Sequence, residues 1–297
     1  MRIAHSSAVL VAAVGLSLPA SAIAQQTMDD VEIRSVYVAN GVYMLQGRGG
    51  NIGLSVGEDG PFLVDDQFAP LTAKIQAAVA AVSEAPVRFV LNTHWHGDHT
   101  GGNENFGEAG AMIVAHENVR ARLNPEEFRD VMGRTQQAPP EALPVVTFTD
   151  AVTFYWNGER IHALHVEHAH TDGDAVVFFT QAKVVHMGDV FFNGSFPFID
   201  VESGGHVDGV IHAVSQVISM VDSDTQIIPG HGELADIDDL RAYRNMLNTV
   251  RDRVQLMIND GRSVDDVVMA RPTANLDGEW TGNAGRFVRA VYQGLSQ

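Results

Sequence analysis

The run His94-Trp95-His96-Gly97-Asp98-His99 places three imidazoles and one carboxylate within six residues. Imidazole nitrogen and carboxylate oxygen are good zinc ligands, at roughly 2.0–2.2 Å. Residues two apart share a side of an extended chain. His94, His96 and Asp98 are therefore expected to converge from one loop, with His99 turned to a neighbouring position. Four such groups crowd a single tetrahedral ion and suit two adjacent ions with further ligands from elsewhere. Two metals about 3.5–4 Å apart activate a water at neutral pH and polarise a carbonyl, which is hydrolytic chemistry. The chain has no cysteine, so thiolate ligands and thiol nucleophiles are excluded.

Candidates for the remaining ligands follow in order. His170 lies in His168-Ala169-His170-Thr171-Asp172-Gly173-Asp174, Asp189 in Met187-Gly188-Asp189, and His231 in Ile228-Pro229-Gly230-His231-Gly232. The His94 run, Asp189 and His231 each follow a short apolar stretch that reads as a strand, and functional groups of α/β folds gather at the carboxyl ends of strands. His168 is a register rival to His170, which is preferred because it abuts the Thr-x-Gly-Asp turn. His116, His162, His165, His186, His206 and His212 carry no such context and are expected to pack or to face solvent.

The elements that must position these groups can be read from apolar spacing. Short apolar runs alternate with Gly-rich turns over residues 31–64, an antiparallel meander. Residues 69–83 show helical character, 87–91 a buried strand, 111–115 another strand and 117–123 a helix. Residues 124–144 are polar and Pro-containing, an excursion over the surface that could serve as a lid. Strands are expected at 145–149, 152–156, 160–166, 175–180 and 184–187, an amphipathic helix at 209–221, a strand at 226–228, and two or three helices from 236 onward. That order predicts an α/β protein built as a four-layer αββα sandwich, with 25–297 forming one domain.

The N-terminus reads as an export signal: Arg2, a short apolar run at 8–18, then small residues suited to cleavage after Ala24. The run is shorter than the roughly 20 residues of a spanning helix, so stable membrane insertion is not expected. Residues 1–24 are thus expected to be a signal peptide, and the mature protein periplasmic or secreted. A formal net charge of −18 argues against nucleic-acid partners and leaves a small molecule as the expected substrate.

With these pieces in place, residues 31–248 resemble the metallo-β-lactamase superfamily. The resemblance rests on H-x-H-x-D-H at residues 94–99, followed by H-T-x-G-D, G-D and P-G-H-G. It implies two zinc ions, with iron used in the same set by some members. His94, His96 and His170 resemble the first metal's ligands, Asp98, His99 and His231 the second's, and Asp189 the bridging carboxylate of glyoxalase II-like members. Asp65 resembles a strand-end aspartate that supports the metal-binding loop. Members with a cysteine ligand carry it near position 189, so Asp189 points towards the glyoxalase II and lactonase branches. The Gly-Gly-Asn-Ile-Gly segment at 49–53 and the exported N-terminus look more like a periplasmic β-lactamase-like branch.

The implied activity is opening of a carbonyl bond in a cyclic amide, lactone or ester, β-lactams included, with Asp98 holding the nucleophile and moving a proton. A glyoxalase II-like thioester hydrolase, an iron redox enzyme and a metal carrier are the other readings. Phe191, Phe192, Asn193, Phe196 and Phe198 either line the substrate wall or belong to the core.

Overall fold

A computed structural model describes residues 28–124 and 138–297. The expected signal peptide and most of the 124–144 excursion lie outside the described residues. The described part of the excursion includes the short 3-10 turn Pro140–Ala142, and the Ala142 carbonyl accepts from Asn103 Nδ2 at 3.0 Å.

The meander over 31–64 is present as β1 (Arg34–Ala39), β2 (Val42–Gln46), β3 (Ile52–Ser55) and β4 (Phe62–Val64), each antiparallel to the next. A helix, α1 (Thr72–Ala80), then leads to β5 (Phe89–Leu91). Two short helices follow, α2 (Gly97–Thr100) and α3 (Asn103–Glu108), before β6 (Met112–His116), α4 (Glu117–Leu123) and β7 (Val146–Phe148). Strands β4 to β7 run parallel and complete a seven-stranded sheet in sequence order.

The second sheet holds β8 (Ala151–Trp156), β9 (Glu159–His165), β10 (Ala175–Phe179), β11 (Val184–His186) and β12 (Gln226–Ile228). Its order is β12-β11-β10-β9-β8, antiparallel except for the β11–β12 pair. Between β11 and β12 runs α5 (Val207–Met220), and after β12 come α6 (Ile237–Asn259), α7 (Val264–Ala270) and α8 (Ala284–Leu295).

The four layers follow from the period of two along each strand. Met44, Phe62, Val64, Leu91 and Val114 point inward and meet Ala163, Val177, Phe179, Val184 and Ile228 of the other sheet. Their sequence neighbours Leu45, Leu63, Val90 and Ile113 point outward onto Leu71, Ile75 and Val79 of the α1 region. On the far side, Val176, Phe178, Val185 and Ile227 pack on Val210, Val214, Val217, Tyr243, Leu247 and Phe287 from α5, α6 and α8. Strands buried on both faces read as continuous apolar runs, which is why β10 and β11 were visible in the sequence. The expected αββα sandwich is the observed fold. Among the described residues, no helix is long and apolar enough to cross a membrane.

Candidate metal centre

Both sheets end at one edge, and the candidate ligands emerge there. Asp65 follows β4, His94 follows β5, Asp189 follows β11 and His231 follows β12. His170 precedes β10, whose start lies at the same edge because β10 runs antiparallel to β11.

All seven expected residues come together, in two groups. His94, His96, His170 and Asp189 form one, and Asp98, His99 and His231 the other; within each, the ligand-type atoms lie within 4.8 Å of one another. Asp189 faces both. Its Oδ2 is 3.8 Å from His94 Nε2 and 3.5 Å from His170 Nε2, while its Oδ1 is 3.0 Å from His99 Nε2 and 3.3 Å from His231 Nε2. Asp98 Oδ2 completes the second group at 3.4 Å from His231 Nε2 and 3.9 Å from His99 Nε2.

One detail of the expectation is corrected. His94, His96 and Asp98 do not share one side of an extended loop. His96 is extended (φ −63°, ψ 146°), but the next four residues wind into α2, with His99 and Thr100 donating backbone N–H to the His96 carbonyl at 2.9 and 3.0 Å. The helical turn swings Asp98 away from His94 and His96 and into the group with His99 and His231.

The outer nitrogen of most rings is held, which decides what the inner one offers. His96 Nε2–H donates to Asp200 Oδ2 at 3.0 Å, and His170 Nδ1–H donates to the Phe198 carbonyl at 2.8 Å. Thr93 Oγ1 gives its hydrogen to Asp65 Oδ2 at 2.7 Å, so it accepts from His94 Nδ1–H at 3.1 Å. Three inner nitrogens then face one another as lone pairs: His96 Nδ1 lies 3.1 Å from His94 Nε2 and 2.9 Å from His170 Nε2. Mutually facing lone pairs are repulsive unless a cation sits among them. In the second group His99 Nδ1–H donates to Asp65 Oδ2 at 2.7 Å, and its buried Nε2, like Asp189 Oδ1, has no hydrogen-bond partner. The donor set therefore fits a pair of cations.

Electrostatics divide the two groups. Burial, reinforced by nearby His99, drives His94 well below the usual histidine range, and burial takes His170 down to about 4. Both rings are neutral at pH 7. Burial also acts against the charged form of His99 and His231, but it is overcome. Asp189, Asp65 and Asp98 raise His99 well above its ordinary value, and Asp189 raises His231. Asp189 is held in return: burial would lift it, yet His231 and His99 keep it well below the ordinary carboxylate range.

Asp65 performs the support role expected of it, also accepting from the Thr93 N–H at 2.7 Å. The supporting roles of Asp200, the Phe198 carbonyl and Asp174 were not read from the sequence. Asp174 accepts from the backbone N–H of His170 and Thr171 at 2.6 and 2.8 Å, which fixes the loop carrying His170. The T-x-G-D pattern was visible and carries Asp174; nothing in the sequence marks Asp200. His168 is exposed and stands outside both groups, as do the six histidines assigned to packing or solvent. His116 and His165 stack on each other at 3.8 Å. Of the five wall candidates, Phe192 stacks on His231 at 5.1 Å and Phe198 on His96 at 5.7 Å. Phe191 and Phe196 are core residues against Tyr243 and Phe287. The Asn193 amide donates to the Glu233 carbonyl at 3.0 Å.

The segment at 49–53 closes over the centre. A Cβ on Gly50 would lie 2.1 Å from His99 Cε1 and 2.5 Å from Nε2. Asp65 pins the far side of that ring, so it has nowhere to move. Gly50→Ala is accordingly expected to displace His99 and empty the second group, with an overpacking cost of about 1–3 kcal/mol. Metal counted per chain after loading, together with the melting temperature, checks this; full metal content in the variant would contradict it.

An αββα sandwich with two His/Asp groups sharing one carboxylate at its sheet edge defines a candidate dinuclear metal centre. The chain belongs to the metallo-beta-lactamase superfamily, whose family model matches residues 45–231. It is similar to a hydroxyacylglutathione hydrolase from Polaromonas sp., 26% identical over 167 residues, which are 54% of this chain and 55% of that protein. The chain thus matches about half the length of this curated relative. Among solved structures it is similar to a metallo-beta-lactamase from Pontibacter korlensis (18% identity, 73% of this chain, 99% of that one, TM-score 0.61). It is also similar to a double mutant of the sec-alkyl sulfatase PisA1 (16% identity, 91% of this chain, 51% of that one, TM-score 0.66). These likenesses show the fold.

Proposed function

We propose that this protein is a dinuclear zinc hydrolase that opens the carbonyl bond of a cyclic amide, lactone or ester, β-lactams included, in the periplasm or outside the cell. The observation that carries the proposal is Asp189, with one oxygen turned to each histidine group. His94, His96 and His170 would hold one ion, Asp98, His99 and His231 the other, and Asp189 both. A bound pair of zinc ions supplies a water acidic enough to attack at neutral pH, and positive charge for the developing oxyanion.

The chain's own groups supply the rest. Asp200, the Phe198 carbonyl, Thr93 and Asp65 fix the tautomers of four histidines, so those four need not reorient during turnover. Asp98, 23% exposed where Asp189 is 5% exposed, is the carboxylate that reaches the open side. It is placed to take a proton from the attacking water and pass it to the leaving group. Phe192 and Phe198 give apolar walls to either side.

The likeness to a hydroxyacylglutathione hydrolase favours a second reading, hydrolysis of a glutathione thioester. A turnover panel on zinc-loaded protein separates the two: a β-lactam, a lactone, a phosphodiester and a glutathione thioester. Turnover of the lactam or lactone is expected. Activity on the thioester alone would replace the first reading with the second, and inactivity on all four would sink both. Iron found after unforced expression, with oxygen uptake, would point to redox chemistry in the same ligand set.

A further inference from the structure

Phe198 carries a cation on its ring: the Arg286 guanidinium carbon lies 3.6 Å from the ring centroid. The same ring lies 5.7 Å from the His96 ring, nearly parallel at 24°, and 5.6 Å from the His170 ring. Two short steps therefore join the guanidinium to the first histidine group. Arg286 comes from the first turn of α8, outside the residues that the family model matches.

Stacking occupies a face of a guanidinium and leaves its planar N–H edge free. In this acidic chain six arginines use that edge in an ion pair. Arg34, Arg122, Arg241, Arg251, Arg271 and Arg289 each hold a carboxylate. Among the described residues no carboxylate lies within ion-pair distance of Arg286, which is exposed to solvent. A free fork of donors beside a hydrolytic centre matches the two oxygens of a carboxylate. The ring beneath it offers apolar surface to the body of the same molecule.

We propose that Arg286, seated on Phe198, binds a carboxylate of the substrate, so that the natural substrate is an anionic acyl compound. The proposal rests on the carbonyl-hydrolase reading of the site. Arg286 is the specificity-determining residue, and acids are preferred over their neutral esters.

The test compares zinc-loaded wild type, Arg286→Gln and Arg286→Lys on a carboxylate-bearing β-lactam and its methyl ester. The helix start survives these changes, because Asn283 caps it through the backbone N–H of residue 286. In Arg286→Gln the acid-to-ester ratio of kcat/KM is expected to fall about 10- to 100-fold, the range for a hydrogen bond to a charged group, with the change in KM. Lysine, which keeps charge but not the fork, should recover part of it. Equal losses on acid and ester would overturn the proposal, since Arg286 would then only prop Phe198; an unchanged ratio would overturn it as well. If wild type hydrolyses neither compound, β-lactams drop out as substrates and the hydrolase reading is left to the four-substrate panel. The same pair titrated as ligands by calorimetry then decides the role of Arg286. Acid affinity at least about 10-fold weaker in Arg286→Gln supports it, and equal affinity overturns it.

Discussion

Asp98→Asn is expected to cut turnover by about 10²- to 10⁴-fold, the share that a positioned proton-transfer group commonly supplies. His96→Ala is expected to abolish it. The two variants fail for different reasons, and counting zinc alongside turnover distinguishes them. Asparagine keeps the size of Asp98 and one acceptor oxygen facing His231, so much of the second group's geometry survives. It cannot accept a proton, so the chemical step suffers more than metal content. His96→Ala removes the nitrogen that lies 3.1 and 2.9 Å from its two partners in the first group. It also strips Asp200 of the imidazole donor that, against the effect of burial, helps pull that carboxylate down to about 2. In zinc-loaded protein the metal bound per chain should fall by about half, because His94, His170 and Asp189 are left without the third imidazole of their group. Full activity in both variants would sink the assignment of this edge as the catalytic centre.

What the sequence disclosed and what it hid differ in range. The alternation of Phe62-Leu63-Val64 and Val176-Val177-Phe178 is local, and the side each residue takes follows from the pleat once a strand is assumed. The ligands were legible because their types and spacing are unusual over six residues. The direction of Asp98 was not. It depends on whether the chain after His96 stays extended or winds into α2, and a four-residue helical turn leaves almost no periodic trace. Asp200 and the Phe198 carbonyl were hidden more deeply. Asp200 reaches His96 across 104 positions of sequence, from an irregular segment placed by packing against α8. The fate of the five wall candidates shows the same limit. Phe191 and Phe196 turn to the core and Phe192 and Phe198 to the site, yet all four sit in one eight-residue stretch with no regular strand or helix to set a period.

Asp189→Asn should act on both groups at once, because Asp189 is the one carboxylate with an oxygen towards each. In zinc-loaded protein the metal bound per chain is expected to fall by about half and turnover by about 10²-fold or more, in line with losing a ligand shared by a two-metal clamp. The metal-free protein gives an independent measure of the same geometry. His99 and His231 have raised values in the folded chain, chiefly through Asp189 against the effect of burial. Such groups stabilise the fold fully below the unfolded histidine value near 6.5, and the contribution is lost as pH rises through their folded values. Metal-free wild type should therefore lose melting temperature as pH climbs above about 6.5. His94 and His170, lowered mainly by burial, are neutral in both states above that pH and add no slope there; their effect falls below it, where acid favours the unfolded chain. Asp174, which burial pushes up to about 7, contributes a slope of the same sign as that of His99 and His231, but it is common to wild type and variant. The difference between the two proteins isolates Asp189. In Asp189→Asn the two histidines lose the anion that keeps them charged, and the difference in melting temperature should shrink steadily from pH 6.5 upward. A difference that stays constant over that range would mean that Asp189 does not hold their protons, and the electrostatic link between the two groups would be lost with it.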